Sequence, residues 1–150
     1  METTKPEKPR IAPELVIDRW LQGKPVTITS LRGKVVVLYF WGAWPSDEST
    51  VLELVSLDKE YKNRGLAVIS VLLPPFDETY MRKVILEKHV EYPIGVDPGA
   101  GRESKNLYAY DQTSRQLLFL IDRKGMAIGF KDASALRSAI EAALGVKRNA

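Results

Sequence analysis

The sequence predicts an α/β domain: a mixed central β-sheet flanked by helices, with an N-terminal β extension. Three observations carry this prediction. Val35–Trp41 (VVVLYFW) and Leu66–Leu73 (LAVISVLL) are continuous apolar, β-branched runs, the pattern of strands buried on both faces of a parallel sheet. Segments with helical spacing of apolar residues lie between and after them. Near the end, Leu117–Ile121 and Met126–Lys131 flank the turn Asp122-Arg123-Lys124-Gly125, which adds an antiparallel pair.

In chain order, residues 1–10, rich in Lys, Glu, Pro and Thr, read as a flexible leader or linker. Residues 11–146 then read as one domain, and 147–150 as a tail. Ile11–Thr29 is expected to form a β-hairpin-like entry turning at Gln22-Gly23-Lys24-Pro25. After the first long strand a helix is expected over Ser46–Asn63, with Val51, Leu54, Val55, Leu57 and Tyr61 as its core stripe and Gly65 as its C′ residue. Pro74-Pro75-Phe76 breaks the chain after the second strand, and Asp77 caps a helix from Glu78 to His89. Ile94–Val96 reads as a short strand, Asp97–Gly101 as a turn and Arg102–Tyr110 as a short helix. The last helix, Ala133–Leu144, buries Leu136, Ile140 and Leu144 at i, i+4 and i+8.

Composition excludes several function classes. The chain has 150 residues, 45% of them hydrophobic and 27% charged, which suits a soluble globular domain with a proper core. The net charge of +3 is scattered, with no basic stripe interleaved with aromatics, so nucleic-acid binding is not expected. The longest apolar run falls far short of the ~20 residues a membrane helix needs, so direct membrane insertion is not expected either. The opening METTKPEKPR lacks the apolar core of a signal peptide, which is compatible with a domain of a longer exported or anchored protein. Cysteine is absent, which excludes disulfides and thiol-ligated metals.

Four blocks carry a family resemblance: Ala12-Pro13, GKPVTITSLRGKVVVLYFWGAW ending at Trp44, YKNRGLAVISV at Tyr61–Val71, and FLIDRKG at Phe119–Gly125. From Ile11 to Gly145 the chain closely resembles the TlpA-like branch of the thioredoxin superfamily, related to the AhpC/TSA redoxins. The resemblance implies a thioredoxin-like fold. It also implies exported thiol-disulfide oxidoreductase chemistry at a Cys-x-x-Cys motif that follows the Trp-x-x-Trp sequence. Here that motif is replaced: Pro45 stands at the nucleophilic position and Glu48 at the resolving one, with Ser46 and Asp47 between. The family's cis-proline, a few residues before FLID, corresponds to Gln116. A non-proline cis bond costs ~3 kcal/mol, so the Arg115–Gln116 bond is expected to be trans. A thiolate is the nucleophile of thiol–disulfide exchange, and neither a hydroxyl nor a carboxylate replaces it. The chain is therefore expected to be a member lacking the motif and its chemistry.

Other chemistry at the relic site meets physical objections. Ser46 reads as the N-cap of the first long helix, with Asp47 and Glu48 in its first turn, where the helix dipole favours them. A serine nucleophile needs a base within reach, and the only histidine, His89, lies roughly 15 Å away along the second helix. Asp47 and Glu48 alone do not make a metal site, and they disfavour an anion at this helix start. No cofactor is expected. Trp41 is expected in the core, while Trp44 with Pro45, Pro74, Pro75 and Phe76 forms either a peptide-docking patch or a covered cluster, rimmed by Arg115 and Gln116. Asp97, Pro98, Gly99 and Gly101 read as turn chemistry, and Arg123 and Lys124 as solvated. The functional expectation is a redox-inactive domain serving as a protein-interaction or structural module, with a protein or peptide partner. The alternative is a thiol-disulfide oxidoreductase or peroxiredoxin-like enzyme using a non-standard or partner-supplied group. A passive spacer within a longer protein is a third reading. Oligomeric state is not legible.

Overall fold

The computed structural model describes residues 9–42, 47–99, 104–110, 117–130 and 133–146, without the side chains of Asp47 and Tyr108. Among these residues one sheet has seven strands: β1 (Arg10–Ile11), β2 (Arg19–Gln22), β3 (Val35–Trp41), β4 (Leu66–Leu72), β5 (Ile94–Val96), β6 (Leu118–Ile121) and β7 (Met126–Phe130). Their order across the sheet is β1-β7-β6-β3-β4-β5-β2. β3, β4 and β5 run parallel, in the register Val35↔Leu66 and Ser70↔Ile94, while β6 and β7 run antiparallel on the other side of β3. Four helices accompany it: α1 (Asp47–Tyr61), α2 (Glu78–Glu87), α3 (Lys105–Tyr110) and α4 (Leu136–Leu144).

β3 is buried along its whole length because both faces of the sheet are covered. Val35, Val37, Tyr39 and Trp41 meet Leu54 and Leu57 of α1, Met81 and Val84 of α2 and Ile140 of α4 in one cluster. Val36, Leu38 and Phe40 meet Ile69, Phe119 and Tyr110 in the other. Period-2 alternation thus splits one apolar strand between two cores. On the second face Phe40, Tyr110 and Phe119 form a ring trio with centroids 5.3–5.9 Å apart, a spacing suited to tilted and edge contacts. The Tyr110 hydroxyl donates to the Pro13 carbonyl.

The expected N-terminal hairpin does not form. β1 pairs with β7 through Ile11↔Met126, and β2 pairs with β5 through Trp20↔Gly95, so the two segments occupy opposite edges of the sheet. The reason is burial. Ala12, Leu15, Ile17, Trp20, Val26 and Ile28 all pack on the second cluster, which α3 alone would leave largely uncovered. A local hairpin would have left that face in water.

The helices start and end close to the sequence signals. α1 passes into a 3-10 turn over Lys62–Arg64 and stops at Gly65, whose φ of 106° is accessible to glycine at little cost. Asp77 caps α2, its carboxylate accepting from the Tyr80 amide at 3.1 Å. α2 ends two residues earlier than expected, and His89 takes the left-handed position after it with φ 56°. α3 begins at Lys105, and α4 at Leu136 after a 3-10 turn at Ala133–Ala135. Arg123 is exposed, as expected, and is also tethered. It donates to the carbonyls of Gly33 at 3.0 Å and Leu144 at 3.4 Å, tying the approach to β3 to the end of α4.

Candidate functional site

The carboxyl ends of β3, β4 and β5 share one edge, and α1 and α2 both start from it. An open sheet with parallel strands presents its ligand crevice at such an edge. Of the residues expected there, Trp44, Pro45, Ser46, Arg115 and Gln116 lie outside the described residues, as do Ala100–Glu103. Asp47 is the first residue of α1. The expected trans bond before Gln116 lies outside the described residues, and of the expected docking patch only Pro74, Pro75 and Phe76 are described.

Glu48 is the described member of the relic motif. Its Oε1 lies 4.0 Å from Lys88 Nζ and accepts from the Tyr80 hydroxyl at 3.5 Å, so the first turn of α1 is linked to both ends of α2. Such a partly exposed pair contributes between 0 and about 1 kcal/mol. Around it the surface is partly apolar. Leu52 on α1 and Tyr80 on α2 are about half exposed, and Pro75 is exposed. Phe76 is half-buried and packs against the first core cluster. Trp41 is core, as expected, with its carbonyl accepting from the Leu73 amide at 2.8 Å. At the outer end of the edge, Glu78 bridges Arg19 of β2 at 2.6 Å and Arg82 at 3.0 Å. The hydrogen bond from Arg19 is the main reason its carboxyl sits below the usual range.

Asp97, expected as turn chemistry, does more. It is buried at the carboxyl end of β5, where its Oδ1 accepts from the Gly99 amide at 2.8 Å. Its Oδ2 accepts from Ser104 Oγ at 2.5 Å and Asn106 Nδ2 at 2.9 Å. Asn106 in turn clasps the backbone of Val16, accepting from its amide at 2.8 Å and donating to its carbonyl at 2.7 Å. β5, α3 and the N-terminal segment are thus pinned together beside the crevice, with the buried polar groups satisfied. Asp97 is committed to three donors, and the chain's single histidine lies elsewhere, so the cluster is a brace and not an activated nucleophile. That histidine, His89, is exposed at the far end of α2, as expected, and lines a groove of about 450 Å³ with Leu21, Gln22 and Leu86. Among the described residues no group of three or more His, Cys, Asp or Glu could hold a metal ion. Among them, too, no helix is long and apolar enough to cross a membrane.

Sequence reasoning misses two buried polar groups, although a signal is present for both. Asp58 follows Leu54 by four residues and so falls on the buried stripe of α1, where it is 7% exposed. Glu141 sits next to Ile140 on the buried side of α4 and accepts from the Tyr61 hydroxyl. That hydrogen bond is the first cause of the raised Tyr61 pKa, followed by burial. A charged residue inside an apolar stripe marks such places.

Comparison with known proteins adds family and fold. The profile of the AhpC/TSA family matches residues 10–127. Thiol-disulfide oxidoreductase ResA of Bacillus cereus is 28% identical over 120 residues, which cover 78% of this chain and 65% of that protein. The chain therefore spans less than two thirds of that relative's length. Protein DipZ of Mycobacterium bovis (strain ATCC BAA-935 / AF2122/97) is 35% identical over 95 residues, 57% of this chain and 14% of that protein. Among solved structures, thioredoxin-like superfamily protein SPOA0173 superposes with a TM-score of 0.69 at 25% identity, covering 92% of this chain and 98% of that one. The fold is thioredoxin-like, and the Cys-x-x-Cys motif is absent from it.

Proposed function

We propose, from the premise that this chain belongs to the AhpC/TSA family, that it is a thioredoxin-fold domain without redox activity that serves as a protein-interaction or structural module. The observation that carries this reading is the absence of any cysteine from all 150 residues. Exchange of a disulfide requires an attacking thiolate and a second thiol to release the mixed intermediate, and this chain supplies neither. Glu48, at the resolving position, is engaged with Lys88 and Tyr80, which supports a corner converted to surface electrostatics. The interaction surface is proposed around Trp44–Glu48, Pro75–Phe76 and Arg115–Gln116, with a protein or peptide as the partner. The short match to DipZ supports use of such a domain inside a longer chain. An exported setting forms part of the proposal, on the strength of the family resemblance.

Insulin reduction in dithiothreitol tests the central point: turnover at the rate of a protein-free blank is expected, and turnover above it refutes the proposal. The same assay with a cysteine-bearing partner added decides whether a borrowed thiol restores exchange. For the surface, Trp44→Ala should weaken capture of the partner while moving the Tm little. A large fall in Tm would place Trp44 in the core and remove it from the surface. Cell fractionation of the parent protein checks the exported setting.

A further inference from the structure

A second surface lies on the outer flank of α2, away from that edge. β2 is the last strand on its side of the sheet among the described residues. α2 runs alongside it, held at one end by the Arg19–Glu78 bridge. At the other end the Gln22 side-chain amide donates to the Val90 carbonyl at 2.8 Å. The groove of about 450 Å³ between them has buried Leu21, Ile85 and Val90 in its lining. Leu86 stands beside it at 76% exposure, the most exposed large apolar side chain among the described residues. The four heavy atoms of a leucine side chain need about 30 Å³ each, so the groove has room for one from outside.

The charges around Leu86 are ordered. Arg82 and Lys83 precede it, Glu87 and Glu91 follow it, and all four side chains are more than half exposed. Helix stability does not account for this order. The helix dipole disfavours an anion in the last turn, where Glu87 sits without a basic residue. Lys83 before Glu87, 3.9 Å apart, is also the weaker direction for an i,i+4 pair. Lys88 turns to Glu48 on the opposite flank, and Arg82 holds Glu78 of its own helix at 3.0 Å. A face that is basic before its apolar centre and acidic after it is complementary to its own antiparallel copy. We propose that this face is the interface of a two-fold dimer, in which Leu86 of each copy enters the groove of the other. At about 1.5 Å per residue, a two-fold through Leu86 sets Lys83 about 3 Å along the axis from Glu87 of the second copy. The same operation sets Arg82 opposite residue 90, beside Glu91 of the second copy. Charged pairs then ring an apolar centre, the anatomy of a protein–protein interface. An unrelated partner gives no reason for the charge order to match its own reversal.

Sedimentation velocity of the full chain over about 1 µM to 1 mM tests this, and a monomer–dimer equilibrium is expected. Leu86→Glu should weaken dimerisation roughly tenfold or more while the Tm holds, because the position is exposed. Lys83→Glu and Glu87→Lys should each weaken it severalfold. The two together should recover most of that loss, since the pair reforms across the two-fold with its signs exchanged. Nonspecific association would follow net charge instead: Lys83→Glu lowers the +3 of the chain by two and would then strengthen it. A chain that stays monomeric throughout that range would overturn the proposal and leave the face to a different protein. A dimer that Leu86→Glu leaves intact, or single exchanges whose losses add in the double variant, would overturn it too. Should Leu86→Glu fail to fold, the charge exchanges at exposed positions decide alone. These outcomes are independent of the redox assay and of Trp44→Ala capture.

Discussion

Replacing Asn106 by leucine removes the joint of the brace beside the crevice. The amide makes three hydrogen bonds: 2.8 and 2.7 Å to the Val16 backbone and 2.9 Å to the Asp97 carboxylate. Two bonds between neutral groups contribute about 1 kcal/mol each and the bond to a carboxylate about 2, a gross loss of about 4 kcal/mol. Leucine recovers about 1 kcal/mol through apolar burial at a site that is 4% exposed. The net loss is therefore about 3 kcal/mol, concentrated in the stranded Val16 backbone and the Asp97 oxygen. For a domain of this size each kcal/mol moves the Tm by about 3 °C, so Asn106→Leu should melt roughly 9 °C lower. Urea unfolding followed by tryptophan fluorescence measures it, with the midpoint shifting and the slope unchanged. A loss below about 1 kcal/mol would refute the reasoning, because it would mean the brace relaxes to water at little cost.

Asp58 predicts a pH dependence. Its folded-state carboxyl is raised above the ordinary value of 3.8, so the folded chain holds that proton more tightly than the unfolded chain. The resulting stability is fully present below the ordinary value and is lost as pH rises through the raised one. Asp58→Asn should accordingly match the parent in acid and melt higher at neutral pH; a neutral-pH Tm below the parent's would reverse the sign. Gly23→Ala should cost roughly 2–4 kcal/mol in urea unfolding, since φ is 81° and the new Cβ would stand 2.9 Å from the Pro93 Cα, combining left-handed strain with overpacking. An unchanged midpoint would show that the turn can move. Tyr61→Phe strands the buried Glu141 carboxylate and should cost about 1.5–3 kcal/mol, while Tyr61→Phe together with Glu141→Leu should recover most of it. Additive losses in that double variant would deny the coupling.

The sequence by itself determined the sheet's central strands and their helices. Val35–Trp41 and Leu66–Leu73 contain too many branched apolar residues to lie anywhere but between two layers. Gly65, Asp77 and the Asp122–Gly125 turn act through local backbone chemistry, so their roles are readable from neighbours in the chain. The missing cysteines are likewise a matter of sequence alone. Tertiary structure decided what depends on distant partners. The N-terminal segment splits between opposite sheet edges because an uncovered apolar face lies far from it in the chain. Asp97 finds Asn106 and Val16, Arg123 finds Gly33 and Leu144, and Asp58 is enclosed beside Tyr92. A polar side chain's role is set by what the fold brings within about 3 Å of it, and local periodicity carries no record of that.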